Sequence, residues 1–441
     1  MIELEKAYNP NLYEQPTYEK WLDSGYFNPD NLPSRYQEPY CIVMPPPNVT
    51  GVLHIGHALM VVIEDVLVRY HRMKGFKTLW IPGTDHAAIA TQSKVEKLLE
   101  KETGQRKQDL GREEFLKRVE QFAQDSHDTI VNQVKRMGAS VDWSREAYTL
   151  DEARTLAVKT AFKNMYDNGL IERHYKVVNW DPKGQTVISD DETVHQERPS
   201  ILYTFKYSAD FPIAISTTRP ETKVGDVAVA VHPDDPRYQE FVDKTFAVQF
   251  CGVDLEIKII ADETIDPQFG TGALGVTPAH SQIDWEIAER HGLELKPVIN
   301  EYVKMTETAG KILAGLKVNA ARETVVSWLR EKNLLEKEET VSQNVATAER
   351  TGGIIEPLPK LQWFIRVNKP FIIQNSQIKG IANGTEITLK QLMKHVVEKN
   401  LVNIFPEHFS KTYFHWIDNL RDWCISRQIW YGHQIPVWYK G

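Results

Sequence analysis

The spacing of hydrophobic and polar positions changes period several times along the chain, and each change predicts an element. Residues 40–44 form a short apolar run with β-branched members, cut off by Pro45, Pro46 and Pro47, which predicts a buried strand meeting a rigid turn. After the loop Asn48-Val49-Thr50-Gly51, the apolar residues Ala58, Leu59, Val62, Ile63, Val66 and Leu67 recur at helical spacing, so a helix is predicted to begin near His54. Residues 78–81 are a second short strand stopped by Pro82, and this strand–helix–strand step predicts a parallel pair with a right-handed crossover.

Residues 1–39 read as an amphipathic arm, helical over 18–24 and looped over the proline-containing stretch 28–35. A long charged helix is predicted over 112–134 and another over 151–168, the second with Ala157, Val158, Ala161 and Phe162 on one stripe and Gly169 just past its end. From about Glu197 the period shortens. Residues 202–207 and 212–217 read as strands, and short β-rich units with Gly and Pro breaks continue to about Pro297, which marks an inserted domain. A helix over 320–332 follows.

Composition narrows the class only a little. With 441 residues, 41% hydrophobic and 25% charged, the chain is long enough for two or three globular domains. No apolar run approaches the ~20 residues that span a bilayer, and the acidic start Met1-Ile2-Glu3-Leu4-Glu5 is no signal peptide, so a cytoplasmic location is expected. Cys41, Cys251 and Cys424 are far apart and without C-x-x-C spacing, which argues against a disulfide framework and a Cys-rich zinc site. The net charge of −8 does not advertise nucleic-acid binding, and the mixed charges over 94–118 read as solvated helix faces.

Chemistry enters at the predicted start of the helix after residue 51. A helix N-terminus leaves backbone N–H groups unpaired and attracts phosphate. His54 and His57, spaced i,i+3, share one face there, and Gly56 between them lets a flat nucleotide lie close to the backbone. The same histidines also read as plain surface residues at a cap. Asp85 falls at the carboxyl end of the second strand, where ligands gather in doubly wound sheets; it is placed to pair with a substrate ammonium group, or to cap the following helix. A dinucleotide enzyme would need G-x-G-x-x-G, which Gly51 to Gly56 does not supply.

The run P-P-P-N-V-T-G-V-L-H-I-G-H-A-L resembles the H-I-G-H signature of class I aminoacyl-tRNA synthetases, in the form seen in valyl-tRNA synthetases. Gly83 to Gln92 matches the family's G-T-D-H-A-G-I-A-T-Q, with Ala88 in place of a glycine, and residues 418–433 resemble its W-x-I-S-R-Q-x-W-x-G-H stretch. Within the inserted domain, Thr217 to Thr222 resembles the T-T-R-P-E-T block of the editing domain and residues 270–280 its second block. The resemblance runs through nearly the whole chain.

It implies an α/β fold: an incomplete Rossmann-like class I nucleotide domain carrying an inserted β-rich α/β editing domain. The implied division is an arm over 1–39, the first half of the catalytic domain over 40–196, the editing domain over 197–345 and the return to the catalytic domain over 346–441. The implied activity joins valine to tRNA(Val) using ATP and Mg²⁺ and hydrolyses mischarged Thr-tRNA(Val), because an apolar pocket rejects an added hydroxyl by only ~10²-fold. His54 and His57 are the implied catalytic residues, with Thr50, Gly51 and Gly56 also at ATP; Pro46, Asn48, Asp85 and Trp430 are implied at the amino acid, although a tryptophan is also ordinary core. Thr217, Thr218, Arg219 and Thr277 are implied to line the editing pocket, with Asp284 anchoring the amino group.

Several departures qualify the likeness. Gly275 stands where the family's commonest pattern has a lysine, and Ser281 where P-A-H-D has an aspartate. At 181–184, where many relatives hold zinc with a cysteine pair, this chain has Asp181 and Gly184, so no structural zinc is expected. The second signature, K-M-S-K-S, does not occur, nor does a helical anticodon-binding region. The expectation is therefore an N-terminal half of a valyl-tRNA synthetase, monomeric when full length, with a free-standing tRNA-editing or tRNA-binding protein as the alternative.

Overall fold

A computed structural model describes residues 7–440; the acidic start, Met1 to Glu5, lies outside that range. The chain divides into two compact units, one of residues 1–164 with 429–441, the other of residues 165–428.

The first unit runs α1 (Pro10–Asp23), β1 (Pro39–Val43), α2 (Ile55–Met73), β2 (Lys77–Ile81), β3 (Gly83–Thr84), α3 (Ala88–Thr103), α4 (Lys107–Leu110), α5 (Arg112–Arg136), β4 (Ala147–Tyr148) and α6 (Glu152–Asp167). β1 and β2 pair in parallel from Pro39↔Lys77 to Val43↔Ile81, as the strand–helix–strand pattern requires. β3 and β4 form a second short parallel pair. Its long helix α5 buries Phe115, Val119, Ala123, Ile130 and Val134, a stripe at spacings of four and seven that gives this otherwise charged helix its one apolar face. Phe115 and Val119 join Val49, Val95, Leu99 and Tyr431 in one cluster; Ile130 and Val134 join Met44, Val61, Val68 and Trp80 in another. Replacing a fully buried side chain such as Phe115 by alanine would cost about 3–5 kcal/mol.

Three predictions for this unit need correction. The strand at 40–44, read as buried, is not: Cys41 and Val43 are exposed and Tyr40 and Ile42 half-buried, and Met44 is the buried residue of the run. In α2 the apolar stripe read from the sequence is not the buried one: Leu59, Val62, Ile63 and Val66 are more than half exposed, while Val61 and Val68 are buried. The reason is that β1 and β2 cover only the side of the helix that carries Val61 and Val68, together with Glu64, which accepts from Trp80 Nε1 at 2.9 Å. The other apolar face is left more than half exposed at Leu59, Val62, Ile63 and Val66. Lys107, read as part of a solvated face, is buried and bonds Glu96 Oε1 at 2.8 Å.

The second unit holds four sheets, three of them with three or four strands. β5 (Ile171–Asp181) pairs with β6 (Thr186–Ile188) and with the later β14 (Glu356–Ile365). β7 (Thr193–Phe205) is flanked by β8 (Ile215–Thr217) and by the long β13 (Leu335–Ala348). β9 (Ala228–Val231), β10 (Thr245–Phe250), β11 (Val253–Ala261) and β12 (Ala273–Val276) form a sheet in the order β10-β11-β9-β12, and α7 (Gln282–His291) and α8 (Val318–Glu331) follow it in sequence before β13. The unit closes with the short pair β15 (Phe371–Ile372) and β16 (Glu386–Ile387), the helices α9 (Leu389–Glu398) and α10 (Phe409–Asp418), and β17 (Trp423–Cys424), which pairs with β14.

β7 begins at Thr193, well before the strand read from the sequence at 202. Its first half, Thr193 to Pro199, is mostly exposed and polar, so it offers no alternation to read; the partner strand β13 holds it by pairing from Thr193↔Ala348 onward. Behind the sheets Phe205, Tyr207, Phe211, Ile213, Phe250 and Ile257 are buried in one core, the largest in the chain.

Candidate active sites

The first site begins at the N-terminus of α2. His54 is the N-cap, in extended conformation, and its Nδ1 accepts the Gly56 N–H at 3.1 Å. His57 Nδ1 accepts the His54 N–H at 3.2 Å, so two imidazoles cap each other's turn, with ring centroids 3.8 Å apart. Because each Nδ1 accepts, each neutral ring carries its proton on Nε2, away from the backbone. Burial and the neighbouring His54 lower the His57 pKa, which favours the neutral ring. Gly56 has a use the sequence does not show: a Cβ there would meet the His54 ring at 2.9 Å and push aside the imidazole that caps this N–H.

The loop before this helix is tied to Asp85. Asp85 N donates to Pro47 O and Val49 N donates to Asp85 O, both at 2.9 Å, a parallel bridge that pairs Asn48 with Asp85. Pro46 is exposed on that loop, Asn48 stands exposed beside it, and Thr50 and Gly51 are half-buried. The Asp85 side chain is not the N-cap of α3, which is Ala87. Its Oδ1 accepts from Ala87 N at 3.0 Å and Thr149 Oγ1 at 2.8 Å and lies 3.3 Å from His86 Nδ1. The bond from His86, with those from Ala87 and Thr149, outweighs burial and holds the carboxyl at about 2. Oδ2 receives no hydrogen bond from the described residues, so a fixed anion presents one open oxygen.

The chain after β17 returns to this place. Trp430 N and Tyr431 N donate to Gln92 Oε1 at 2.8 and 3.2 Å, the Trp430 ring sits edge-on to Phe115, and the His86 ring lies 6.0 Å from Tyr431 and 5.2 Å from His433. Gly432, at φ +128°, passes so near Ala88 that a Cβ would come within 3.0 Å of it. Pro46, Asn48, Asp85 and Trp430 thus belong to one unit. His86, Gln92, Thr149 and Tyr431 hold the arrangement, and the sequence alone assigns them no role; His86, Gln92 and Tyr431 lie inside two of the family-like blocks, which is the available signal, and Thr149 has none.

The second site lies in the other unit. Thr217, Thr218 and Arg219 are half-buried at the end of β8. Thr217 Oγ1 accepts the Arg219 N–H at 3.0 Å, while the guanidinium is spent internally, 2.6 Å from Glu356 Oε1 and 3.6 Å from Glu221 Oε1. Burial opposes its charge, but those two carboxylates overcome it and raise the arginine's pKa. Thr277 is buried, and its N–H donates to Asp284 Oδ2 at 2.7 Å. Ser281, the N-cap of α7, gives its hydroxyl to Asp284 Oδ1 at 2.8 Å. The threonines, the arginine and Asp284 are therefore gathered around β8, β12 and the start of α7, with Asp284 only 5% exposed.

Two further places bear on chemistry. Asp181 is buried and accepts from Lys183 N at 3.0 Å and Thr351 Oγ1 at 2.8 Å, and a Cβ on Gly184 would come within 2.5 Å of its Oδ2, so this turn is closed by hydrogen bonds. Among the described residues no group of three or more His, Cys, Asp or Glu is placed to hold a metal ion, and no helix is long and apolar enough to cross a membrane. An open groove of about 1200 Å³ in the second unit, lined by Lys176, His195, Trp285, Arg366, Trp416 and Trp423 among others, has no counterpart in the sequence reading. Its residues come from segments far apart in sequence.

A histidine-capped helix start after a parallel strand, an acid at the end of the next strand and a large β-rich insertion define a class I synthetase nucleotide domain. The profile described as tRNA synthetases class I (I, L, M and V) matches residues 16–441, and the chain belongs to that family. It is 44% identical over 443 residues to the valine–tRNA ligase of Protochlamydia amoebophila, covering 100% of this chain and 44% of that protein. It is 43% identical over 442 residues to the valine–tRNA ligase of Thermotoga maritima, covering 100% of this chain and 48% of that protein. The chain thus spans about half the length of the curated relatives it matches. A solved LeuRS–tRNA–LeuAMS complex from Agrobacterium radiobacter K84 aligns with 91% of this chain and 54% of that one at 19% identity and a TM-score of 0.37, too loose a likeness to inform residue roles.

Proposed function

We propose that the chain is the valine-activating and editing portion of a valine–tRNA ligase: it binds ATP and valine at the α2 start and Asp85, forms valyl-adenylate, passes valine to tRNA(Val), and hydrolyses Thr-tRNA(Val) in an inserted domain. The observation that supports the reading is the pair of backbone bonds between the 47–49 loop and Asp85, which ties the loop before the histidine-capped helix start to the residue with the open carboxylate. ATP is the substrate the family uses. The Nε2–H groups of His54 and His57 suit a phosphate chain at a helix N-terminus, with Thr50, Gly51 and Gly56 giving backbone access. Mg²⁺ would arrive with the ATP phosphates and neutralise them. Asp85 Oδ2 suits the valine ammonium group, and Pro46, Asn48 and Trp430 suit the walls around its side chain.

For the second site, residues 197–345 are proposed as the editing domain. Its two ends are supported as neighbours by the β7–β13 ribbon, where Glu197 pairs with Asn344 and Gln196 with Val345. Asp284 is proposed to hold the ammonium group of the misattached threonine, with water as nucleophile, since no cysteine or serine triad lies there. A monomeric, cytoplasmic protein is the accompanying proposal. The test is valine-dependent ATP–pyrophosphate exchange together with Thr-tRNA(Val) hydrolysis by this chain in its full-length context. Exchange with valine and none with leucine supports the reading; hydrolysis without any exchange would favour a free-standing editing protein instead.

A further inference from the structure

Lys223 is an unusual residue to find 4% exposed, and nothing in the proposed activities uses it. It sits in the short helical turn Pro220–Gly225 that follows the first residues of the T-T-R-P-E-T run. Its ammonium group has three N–H donors, and three acceptors meet it: Gly275 O at 2.6 Å, Thr277 Oγ1 at 2.7 Å and Asp226 Oδ1 at 3.2 Å. Asp226 is fully buried and also receives the hydroxyls of Thr277 and Tyr207. A buried ion pair is tolerated where its remaining polar atoms are matched, and here each is.

This cluster continues into the proposed editing site. Thr277 accepts from Lys223 through its hydroxyl and donates through its own backbone N–H to Asp284 Oδ2 at 2.7 Å. A displacement at Lys223 is therefore passed through Thr277 to the carboxylate proposed to hold the substrate ammonium group. Gly275 belongs to the same device: a Cβ there would come within 2.5 Å of both Asp226 Oδ2 and the Tyr207 hydroxyl. No side chain fits at 275, the strand position where the commonest family pattern has a lysine. The cation instead enters from the neighbouring turn.

We propose that Lys223 is a positioning residue for the editing site, fixing Thr277 and through it Asp284, with the side-chain-free Gly275 as its necessary partner. The proposal rests on the editing reading above. It is tested in the full chain by steady-state hydrolysis of Thr-tRNA(Val) by Lys223→Met, Thr277→Val and the double variant, with near-ultraviolet circular dichroism confirming the fold. Each single variant should lower kcat by about 10²-fold, the scale of a lost preorganised contact. KM should change by less than about threefold. The double variant should be no slower than the worse single, because both act through one contact. Should Lys223→Met not fold, Thr277→Val, which removes the hydroxyl that Lys223 and Asp226 share, carries the same expected loss. Wild-type hydrolysis by Lys223→Met, or by Thr277→Val, overturns the proposal and leaves the editing reading standing. Losses that multiply in the double variant also overturn it, since the two residues would then act independently. A wild-type chain inactive on Thr-tRNA(Val) overturns the editing reading itself, and the role of Lys223 with it.

Discussion

His57 Nδ1 accepts the backbone N–H of His54 at 3.2 Å, so the second histidine of the pair closes the turn that the first one opens. The two rings thereby cap the helix start, and in the proposed activity their Nε2–H groups face the phosphates. Replacing His57 by alanine removes both a cap and an Nε2–H donor, and the expected result is a fall of about 10²-fold or more in valine-dependent ATP–pyrophosphate exchange. His57→Asn retains a side chain able to accept the His54 N–H, and should recover the cap's stability without the exchange rate. A thermal melt of both variants beside the exchange assay separates the two contributions. Full exchange activity in His57→Ala would refute the phosphate role.

The Asp85 carboxyl, held at about 2, sets a pH window. An unfolded aspartate titrates near ~3.9. Its folded value is depressed, so its contribution to stability is fully present above about pH 4 and is lost as pH falls toward about 2. Folding measured by circular dichroism from pH 6 to 2 should show this loss in the wild type and a flatter curve in Asp85→Asn. In exchange assays Asp85→Ala should raise KM for every amino acid it activates alike, because the ammonium group is common to them all. A change in side-chain preference alone would contradict the assignment.

Much of this arrangement is legible in the amino-acid sequence. The parallel pair β1–β2 follows from two short apolar runs stopped by prolines around a helical period, and the family follows from the two blocks around His54 and Asp85. Side-chain partnership is not legible, because it depends on residues far away in sequence: Asp85 is fixed by Thr149, and Trp430 by Gln92. The stripe of α2 shows the opposite failure. Leu59, Val62, Ile63 and Val66 have a clear helical period, yet period reports that a face is apolar and not which segment covers it. Gly275 reads in sequence as a missing cation, whereas in the fold its carbonyl oxygen accepts from Lys223.

Trp430 stands edge-on to Phe115 at 5.7 Å and packs on the cluster that includes Val49, the residue next to Asn48. If its ring walls the amino-acid site, shortening it enlarges the space for one more methylene, a change worth about 1–3 kcal/mol in discrimination. Trp430→Leu should therefore raise kcat/KM for isoleucine relative to valine by about 10-fold or more in the exchange assay. It should also lower the melting temperature modestly, through lost contact with Phe115. A variant that melts earlier and keeps its full preference for valine would place Trp430 in the core alone.

Asp284 lets charge be separated from shape. Its two oxygens accept from Thr277 N and Ser281 Oγ, so Asp284→Ala leaves a buried N–H without a partner, at a cost of about 1–3 kcal/mol, and removes the charge as well. Asp284→Asn keeps an acceptor of the same shape for Thr277 N, turns the oxygen facing Ser281 Oγ into an N–H donor that this hydroxyl can accept from, and removes the charge. If the carboxylate holds the substrate ammonium group, both variants should lose Thr-tRNA(Val) hydrolysis by about 10²-fold, since a charged group left without its partner in a partly desolvated site forfeits several kcal/mol. Only the alanine variant should melt markedly earlier. Were the carboxylate a helix-capping group and nothing more, Asp284→Asn would melt near the wild type and hydrolyse Thr-tRNA(Val) at its rate, and the anchor for the amino group would have to be sought at another acid.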